Sequence, residues 1–419
     1  MQNKMTNLPQ GWEVKKLEEI ANIKGGKRLP KGKNLLDNNT KFAYIRVADF
    51  QDNGTINLQN IKFINENTYN VLKNYKIYDD NLYISIAGTI GKSGIIPKEL
   101  NGAILTENAV KLEYIQNNIS NKFMYFFTLS NIFKTQIQTS TKIVAQPKLA
   151  ITRLKQIQIP LPPLKEQERI VGILDFTFSK IDENIKKAKE NLANIDELMQ
   201  SALQKAFNPL NDNTKENYQL PQSWKWKGLG EICFITDGTH KTPNYIETGI
   251  PFLSVKNISK GFFDLSDVKY ISLEEHNKLI KRAKPEFGDI LICRIGTLGK
   301  AIKISLEFEF SIFVSLGLLK PKVKIISDYL VYFLNSYFIE GWINNNKVGG
   351  GTHTAKLNLN ILEKCPVALP PLKEQEQIAE HLDFVFEKTK ALKELYTKEL
   401  KDYEELKQSL LDKAFKGEL

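Results

Sequence analysis

Leu161–Phe176, "LPPLKEQERIVGILDF", and Leu369–Phe384, "LPPLKEQEQIAEHLDF", are one phrase written twice, 208 residues apart. The match runs without a gap to "LQKAF" (Leu203–Phe207) against "LDKAF" (Leu411–Phe415), and about half of the aligned positions are identical. Repetition at nearly half the chain length means two copies of one architectural unit. At the same offset "GTIGK" (Gly88–Lys92) meets "GTLGK" (Gly296–Lys300), and "YIRVADF" (Tyr44–Phe50) meets "FLSVKNI" (Phe252–Ile258). The starts of the halves correspond as well, "LPQGW" (Leu8–Trp12) with "LPQSW" (Leu220–Trp224), at a slightly larger spacing.

Each half is therefore a diverged block followed by a closely repeated helix. After Pro162-Pro163, the residues Phe178, Ile181, Ile185, Ala188, Leu192, Ile195, Met199, Ala202 and Ala206 recur at alternating steps of three and four, a heptad seam that needs a helical partner. From Lys165 to Phe207 such a helix is roughly 60 Å long. The second copy keeps Phe386, Leu400, Tyr403, Leu410 and Ala414 in register but places Thr389, Lys393 and Lys407 there too. Its seam is either shifted through Leu392, Leu395 and Leu406 or less buried. The obvious partner of each helix is the other. Within the blocks, short runs rich in Val, Ile, Phe and Tyr suggest strands ("FAYIRVADF", "NLYISIAGTI", "PFLSVKNI", "GDILICRIGTL"), while "NKFMYFFTLSNIF" and "SDYLVYFLNSYFIEGW" have the density of buried helices. The expected fold class is mixed α/β: two globular α/β domains alternate with two long helices that pair as an antiparallel coiled coil, in a pseudo-twofold repeat. The boundaries read as 1–160 and 218–368 for the blocks, 161–207 and 369–419 for the helices, and 208–217 for a polar linker.

Among 419 residues, 42% are apolar and 25% charged, ordinary for a globular chain. No apolar window reaches membrane-spanning length and the first ten residues are polar, so neither a span nor a secretory signal is expected and the chain is placed in the cytoplasm. Cys233, Cys293 and Cys365 are far apart and form no metal or disulfide spacing. The net charge of +10 permits a polyanionic partner. Lysine is abundant and only six arginines occur, so each arginine is a candidate for its fork geometry, toward guanine or phosphate on one side or a structural carboxylate on the other.

"SIAGTIGKS" (Ser85–Ser93) superficially suggests a nucleotide loop, but a Walker A loop requires glycine where Ile86 stands, and the second copy, "CRIGTLGKA", has Ala301 in place of Ser93. The shared Gly-Thr-x-Gly-Lys is better read as a repeated architectural turn. An adenine methyltransferase motif is missing, since "NPLND" at Asn208 lies in the linker without an aromatic. No nuclease constellation, catalytic triad or metal cluster can be assembled.

With its doubled P-P-L-x-E-Q-x-x-I, the long helix after each copy, the glycine turns and "DGTHKTP" (Asp237–Pro243), the whole chain resembles the specificity subunit of Type I DNA restriction-modification systems. The resemblance implies a non-catalytic subunit in which each domain reads one half of a bipartite, asymmetric double-stranded DNA target. The helices would set the spacing and dock two methyltransferase subunits, with restriction subunits as further partners. No cofactor is implied in this chain: S-adenosylmethionine would belong to the methyltransferase, ATP and magnesium to a nuclease subunit. The rival reading is a coiled-coil scaffold without DNA specificity, which leaves two diverged blocks and their basic loops without a purpose.

On this reading the DNA-contact candidates of the first block are Lys24, Lys27, Arg28, Lys31 and Lys33 in "KGGKRLPKGK", with Arg46, Lys142 and Lys148. Those of the second are Thr239, His240, Lys241, Lys256, Arg294, Lys347 and Lys356. The bland alternatives are solvated loops for the lysines and buried ion pairs for Arg46 and Arg294. The recognition-domain turns comprise Gly88, Thr89, Gly91 and Lys92 in one block and Gly296, Thr297, Gly299 and Lys300 in the other. Helix pairing is assigned to Phe178, Ile181, Ile185, Leu192, Ile195, Phe386, Leu400, Tyr403 and Leu410.

Overall fold

The computed structural model describes residues 8–140, 148–207, 222–350 and 355–419, so Lys142 and the linker lie outside the described residues. The chain divides into two compact units, Met1–Lys189 with Thr397–Leu419, and Glu190–Tyr396. The division falls within both long helices, Leu164–Phe207 and Leu372–Lys416, so that each unit contains part of each.

The first unit is built on a four-stranded antiparallel sheet ordered Ala21–Gly25, Ala109–Tyr114, Leu82–Ser85 and Ser93–Ile95. Beside it lies a second small sheet with Ala43–Ile45 parallel to Ala103–Leu105. The second unit repeats the plan: Cys233–Asp237, Leu316–Pro321, Ile290–Cys293 and Ala301–Lys303 form the antiparallel sheet, and Ile250–Leu253 runs parallel to Ser311–Ile312. In each unit a strand at the start of the block pairs with the strand that leads into the long helix, Glu13–Lys16 with Gln158–Leu161 and Lys225–Gly228 with Pro366–Leu369.

The repeated Lys-Glu-Gln-Glu phrase has a structural reason. Gln167 is buried in the first helical turn, where its Oε1 accepts from Ser120 N at 2.9 Å and its Nε2 donates to the carbonyls of Asn118 (3.0 Å) and Pro162 (2.9 Å). Gln375 does the same in the second unit, accepting from Ile326 N at 3.0 Å and donating to Pro370 O at 2.8 Å. Each amide thus ties a long helix to the start of the block's own helix, Asn121–Leu129 or Ser327–Leu334. The far ends of the long helices are plugged by aromatic packing. Phe415 lies 5.1 and 5.5 Å from Phe123 and Phe127 in the first unit; Phe207 lies 5.6 and 5.3 Å from Tyr329 and Phe333 in the second.

The two long helices run antiparallel inside each unit. In the first, Arg169 reaches Leu419 O and Asp182 pairs with Lys407; in the second, Asp196 pairs with Lys393 while Phe207 shares a core with Ala379 and Leu382. Ile181, Ile185, Ala188 and Ile195 are buried, as their spacing requires, whereas Leu192, Leu400 and Tyr403 are half-buried. On the second helix the unshifted register is the buried one. Thr389 is 1% exposed while Leu395 is 58% exposed, with Leu392 and Leu406 also outward. The lysines at seam positions are accommodated by the aspartates opposite them. Phe178 and Phe386 pack against block helices: Phe178 meets Phe126 edge-on at 5.6 Å, and Phe386 stacks on Tyr332 at 5.3 Å.

Two expected single helices are broken. "NKFMYFFTLSNIF" divides into Asn121–Leu129 and Asn131–Ser140 because Ser130 caps the second piece, and "SDYLVYFLNSYFIEGW" divides at Asn335-Ser336. "FAYIRVADF" and "PFLSVKNI" are each strand for only three residues, Ala43–Ile45 and the last three of Ile250–Leu253, before each turns into a 3-10 helix, Val47–Asp49 or Val255–Asn257.

Candidate nucleic-acid interface

The repeated glycine phrase is a strand-to-strand turn in both units. Gly88, Gly91, Gly296 and Gly299 all have φ between 75° and 88°, the left-handed region that glycine enters without steric cost. Ser85 N donates to Lys92 O (2.8 Å) and Gly91 N to Ser85 O (2.9 Å); Cys293 N to Lys300 O (2.9 Å) and Gly299 N to Cys293 O (2.8 Å) close the second turn. Thr89 and Thr297 are exposed at the tips. Lys92 pairs with Asp52 at 2.7 Å.

In the first unit the basic phrase begins in a strand. Lys24 belongs to Ala21–Gly25 and its Nζ lies 2.5 Å from Glu113, a correction to its reading as a loop residue. Beyond the strand, Lys27 stands over the Tyr75 ring at 5.8 Å, and Lys31 and Lys33 are exposed around a turn closed by Lys33 N donating to Pro30 O at 3.0 Å. Arg28 is 79% exposed, with its Nε held 2.6 Å from Glu107. Burial pushes the Glu107 carboxyl up, but hydrogen bonds from Arg28, its own backbone amide and Thr106 outweigh this and hold it below the ordinary glutamate range. Arg46 is occupied by structure: it caps Val47–Asp49, gives Asp49 two side-chain hydrogen bonds (3.0 and 2.5 Å) and donates to Asn60 O at 3.0 Å. It is an ion-pair partner. Lys148 is exposed and its backbone bridges to Ala87 beside the glycine turn.

The second unit concentrates its charge around one buried carboxylate. Asp237 accepts from Arg294 Nη1 at 2.7 Å, from Arg282 Nη2, and faces His240 Nε2 at 3.1 Å. Arg294 is 6% exposed and also donates from Nη1 to Val314 O (3.0 Å) and from Nε to Leu357 O (3.2 Å), so it is withdrawn from the contact candidates. Burial draws its pKa below the ordinary arginine value, with Asp237 opposing the shift. His240 and Arg282 keep exposed side chains while the carboxylate orients them. Thr239 Oγ1 donates to Lys241 O at 3.1 Å, which folds the loop so that Lys241 faces out. The residue after Arg294 leads into the glycine turn, and beside that turn is a cavity of about 820 Å³ lined by Lys256, Thr297, Lys300, Ser336, Glu340 and Lys347, among others. Lys356 is exposed alongside, its backbone paired with Ile295 and Val348.

Sequence reasoning missed Asp237 as an anchor, Arg282 as its exposed partner, Glu107 and the buried Ser336. Only Arg282 had a signal, as one of the scarce arginines. Burial pushes all three cysteine thiols up to about 12, and no cluster of three potential metal ligands occurs among the described residues. No helix among them is long and apolar enough to cross a membrane.

The fold defines a duplicated protein: two related α/β domains with different cation-bearing loops, each tied to a long helix. The sequence matches the Type I restriction modification DNA specificity domain over residues 9–194 and 221–402, and the chain belongs to that family. It is 24% identical to the Type I restriction enzyme EcoBI specificity subunit of Escherichia coli, covering 100% of this chain and 88% of the relative. It is 25% identical to the putative Type I restriction enzyme MjaX specificity subunit of Methanocaldococcus jannaschii, covering 98% and 94%. Among solved structures, one described under complex assembly and conformational transition of the Type I R-M system shares the fold with a TM-score of 0.79 at 22% identity over 99% of this chain and 100% of that one. The HsdS subunit from Thermoanaerobacter tengcongensis gives 0.61 at 21% over 100% of both.

Proposed function

We propose that this chain gives a Type I restriction-modification complex its sequence specificity, with each unit reading one half of a bipartite, asymmetric DNA target. The long helices set the spacing between the halves and dock two methyltransferase subunits, and restriction subunits join them for cleavage. The chemistry is the partners': S-adenosylmethionine in the methyltransferase, ATP and magnesium in the nuclease, all in the cytoplasm with the DNA. The observation that carries the reading is the repetition of a whole recognition domain in which scaffold contacts are kept and the exposed cations differ. Shared framework with different surface chemistry is what reading two different half-sites requires.

The contact residues proposed are Lys27, Arg28, Lys31, Lys33 and Lys148 in the first unit, and Thr239, His240, Lys241, Arg282, Lys256, Lys347 and Lys356 in the second. Arg28, His240 and Arg282, each oriented by a carboxylate, are suited to base edges; the lysines are suited to phosphate. Methylation mapping across the source genome with and without this chain tests the reading. A single gapped, asymmetric motif that vanishes with the chain supports it; unchanged methylation refutes it.

A further inference from the structure

The cavity beside the Gly296–Lys300 turn contains a hydroxyl that the fold leaves unused. Ser336 is 2% exposed and lines the cavity, and its Oγ has no hydrogen-bond partner among the described residues. It precedes the helix Tyr337–Asn346 but makes no side-chain cap bond, so the first-turn amides have no cap from it. The corresponding serine of the first unit is fully used: Ser130 Oγ donates to Phe127 O at 2.7 Å and accepts from Phe133 N at 3.3 Å. A buried hydroxyl left unmade costs about 1–3 kcal/mol, so its retention at a cavity wall points to a partner from outside.

The wall around it is rigid. Asn335 accepts from Ala301 N at 3.1 Å and donates to Ala301 O at 2.8 Å and Val331 O at 2.9 Å, which fixes Ser336 relative to Lys300. Lys256, Lys300 and Lys347 also line the cavity, against Glu340 as the one acid among its described lining residues. Lysine ammoniums and a serine hydroxyl are donors, and together they select a ligand group that is anionic and accepts hydrogen bonds.

We infer that this cavity binds a phosphate group, with Ser336 Oγ and Lys300 as its donors, and that the phosphate is a phosphodiester of the bound DNA. The inference rests on the DNA-recognition reading and adds a specific anchor to it. DNA is favoured as the source because Lys256 and Lys347 line the cavity and also belong to the surface proposed for contact. A seated phosphate fixes register without reading sequence, and among the described residues the unused serine hydroxyl at a cavity wall occurs in the second unit, where the first uses Ser130 as a cap.

The test uses the full chain with its methyltransferase partner and duplexes carrying the mapped target, each with a single methylphosphonate at one position of the second half-site. For the unsubstituted chain, one position lowers affinity by about tenfold, the worth of a charge-assisted hydrogen bond. S336A binds the unmodified duplex about tenfold more weakly and no longer responds at that position. Unliganded S336A melts no lower than the parent, since the hydroxyl has no protein partner to lose. If S336A matches the parent on every duplex while target is still preferred over scrambled DNA, the phosphate site is refuted and recognition stands. If the parent itself shows no preference, the recognition reading fails first. If inorganic phosphate at matched ionic strength raises the melting temperature of the parent but not of S336A, and no methylphosphonate position responds, the ligand is a free anion and the DNA assignment is overturned.

Discussion

The first unit holds Arg28 to Glu107 at its surface, whereas the second buries Asp237 and gathers Arg294, Arg282 and His240 around it. Both arrangements follow the strand that opens the antiparallel sheet, and both leave an oriented cation exposed, but the carboxylate comes from a different place in the fold. The same contrast holds at the helix start after the glycine turn, where Ser130 is used as a cap and Ser336 is left free. Against these differences stand the features that do not vary: the Gln167 and Gln375 ties, the Phe415 and Phe207 plugs, and the two glycine turns. Contacts that build the domain are duplicated, and polar groups that face outward are not.

The largest effects should fall on the shared features and be equal in the two units. Truncating either plug, F415A or F207A, removes a buried ring packed on two aromatics and should cost about 3–5 kcal/mol. Hydrogen-exchange protection should fall in the first unit for F415A and in the second for F207A; loss in both from one substitution would show that the units do not fold independently. The anchoring carboxylates should break the symmetry. D237N leaves Arg294 buried beside a neutral amide and should cost about 3 kcal/mol, measured as a lower denaturation midpoint. E107Q disturbs a pair whose arginine is solvated and should cost less than about 1 kcal/mol. Equal losses would mean that the surface pair in the first unit has been undervalued. The helix-start serines give the smallest and sharpest contrast. S130A should cost about 1 kcal/mol through its lost cap, while S336A costs nothing in the absence of DNA.

Much of this architecture was legible in the sequence because it is repeated or periodic. The doubled phrase located both long helices, and the three-four spacing identified Ile181, Ile185 and Ile195 as buried. The second helix resisted that reading. Its lysines at seam positions are acceptable only because Asp182 and Asp196 stand opposite, and those partners are some 200 residues away in the chain. Apolar density concealed the breaks at Ser130 and Asn335-Ser336; at the first, a single capping hydroxyl decides between one helix and two. Arg46 and Arg294 illustrate the limit for sites: an arginine in a strand-like run looks alike on paper whether it faces DNA or a buried aspartate. Asp49 and Asp237 make the difference, and only the folded chain brings Asp237 to Arg294.

The central claim, one half-site per unit, is tested most directly by replacing residues 222–368 with the corresponding block of a relative that recognises a different target, then mapping methylated positions in the host genome. One half of the motif should change while the other half and the length of the gap stay as they were. A motif in which both halves change, or neither does, would contradict the account.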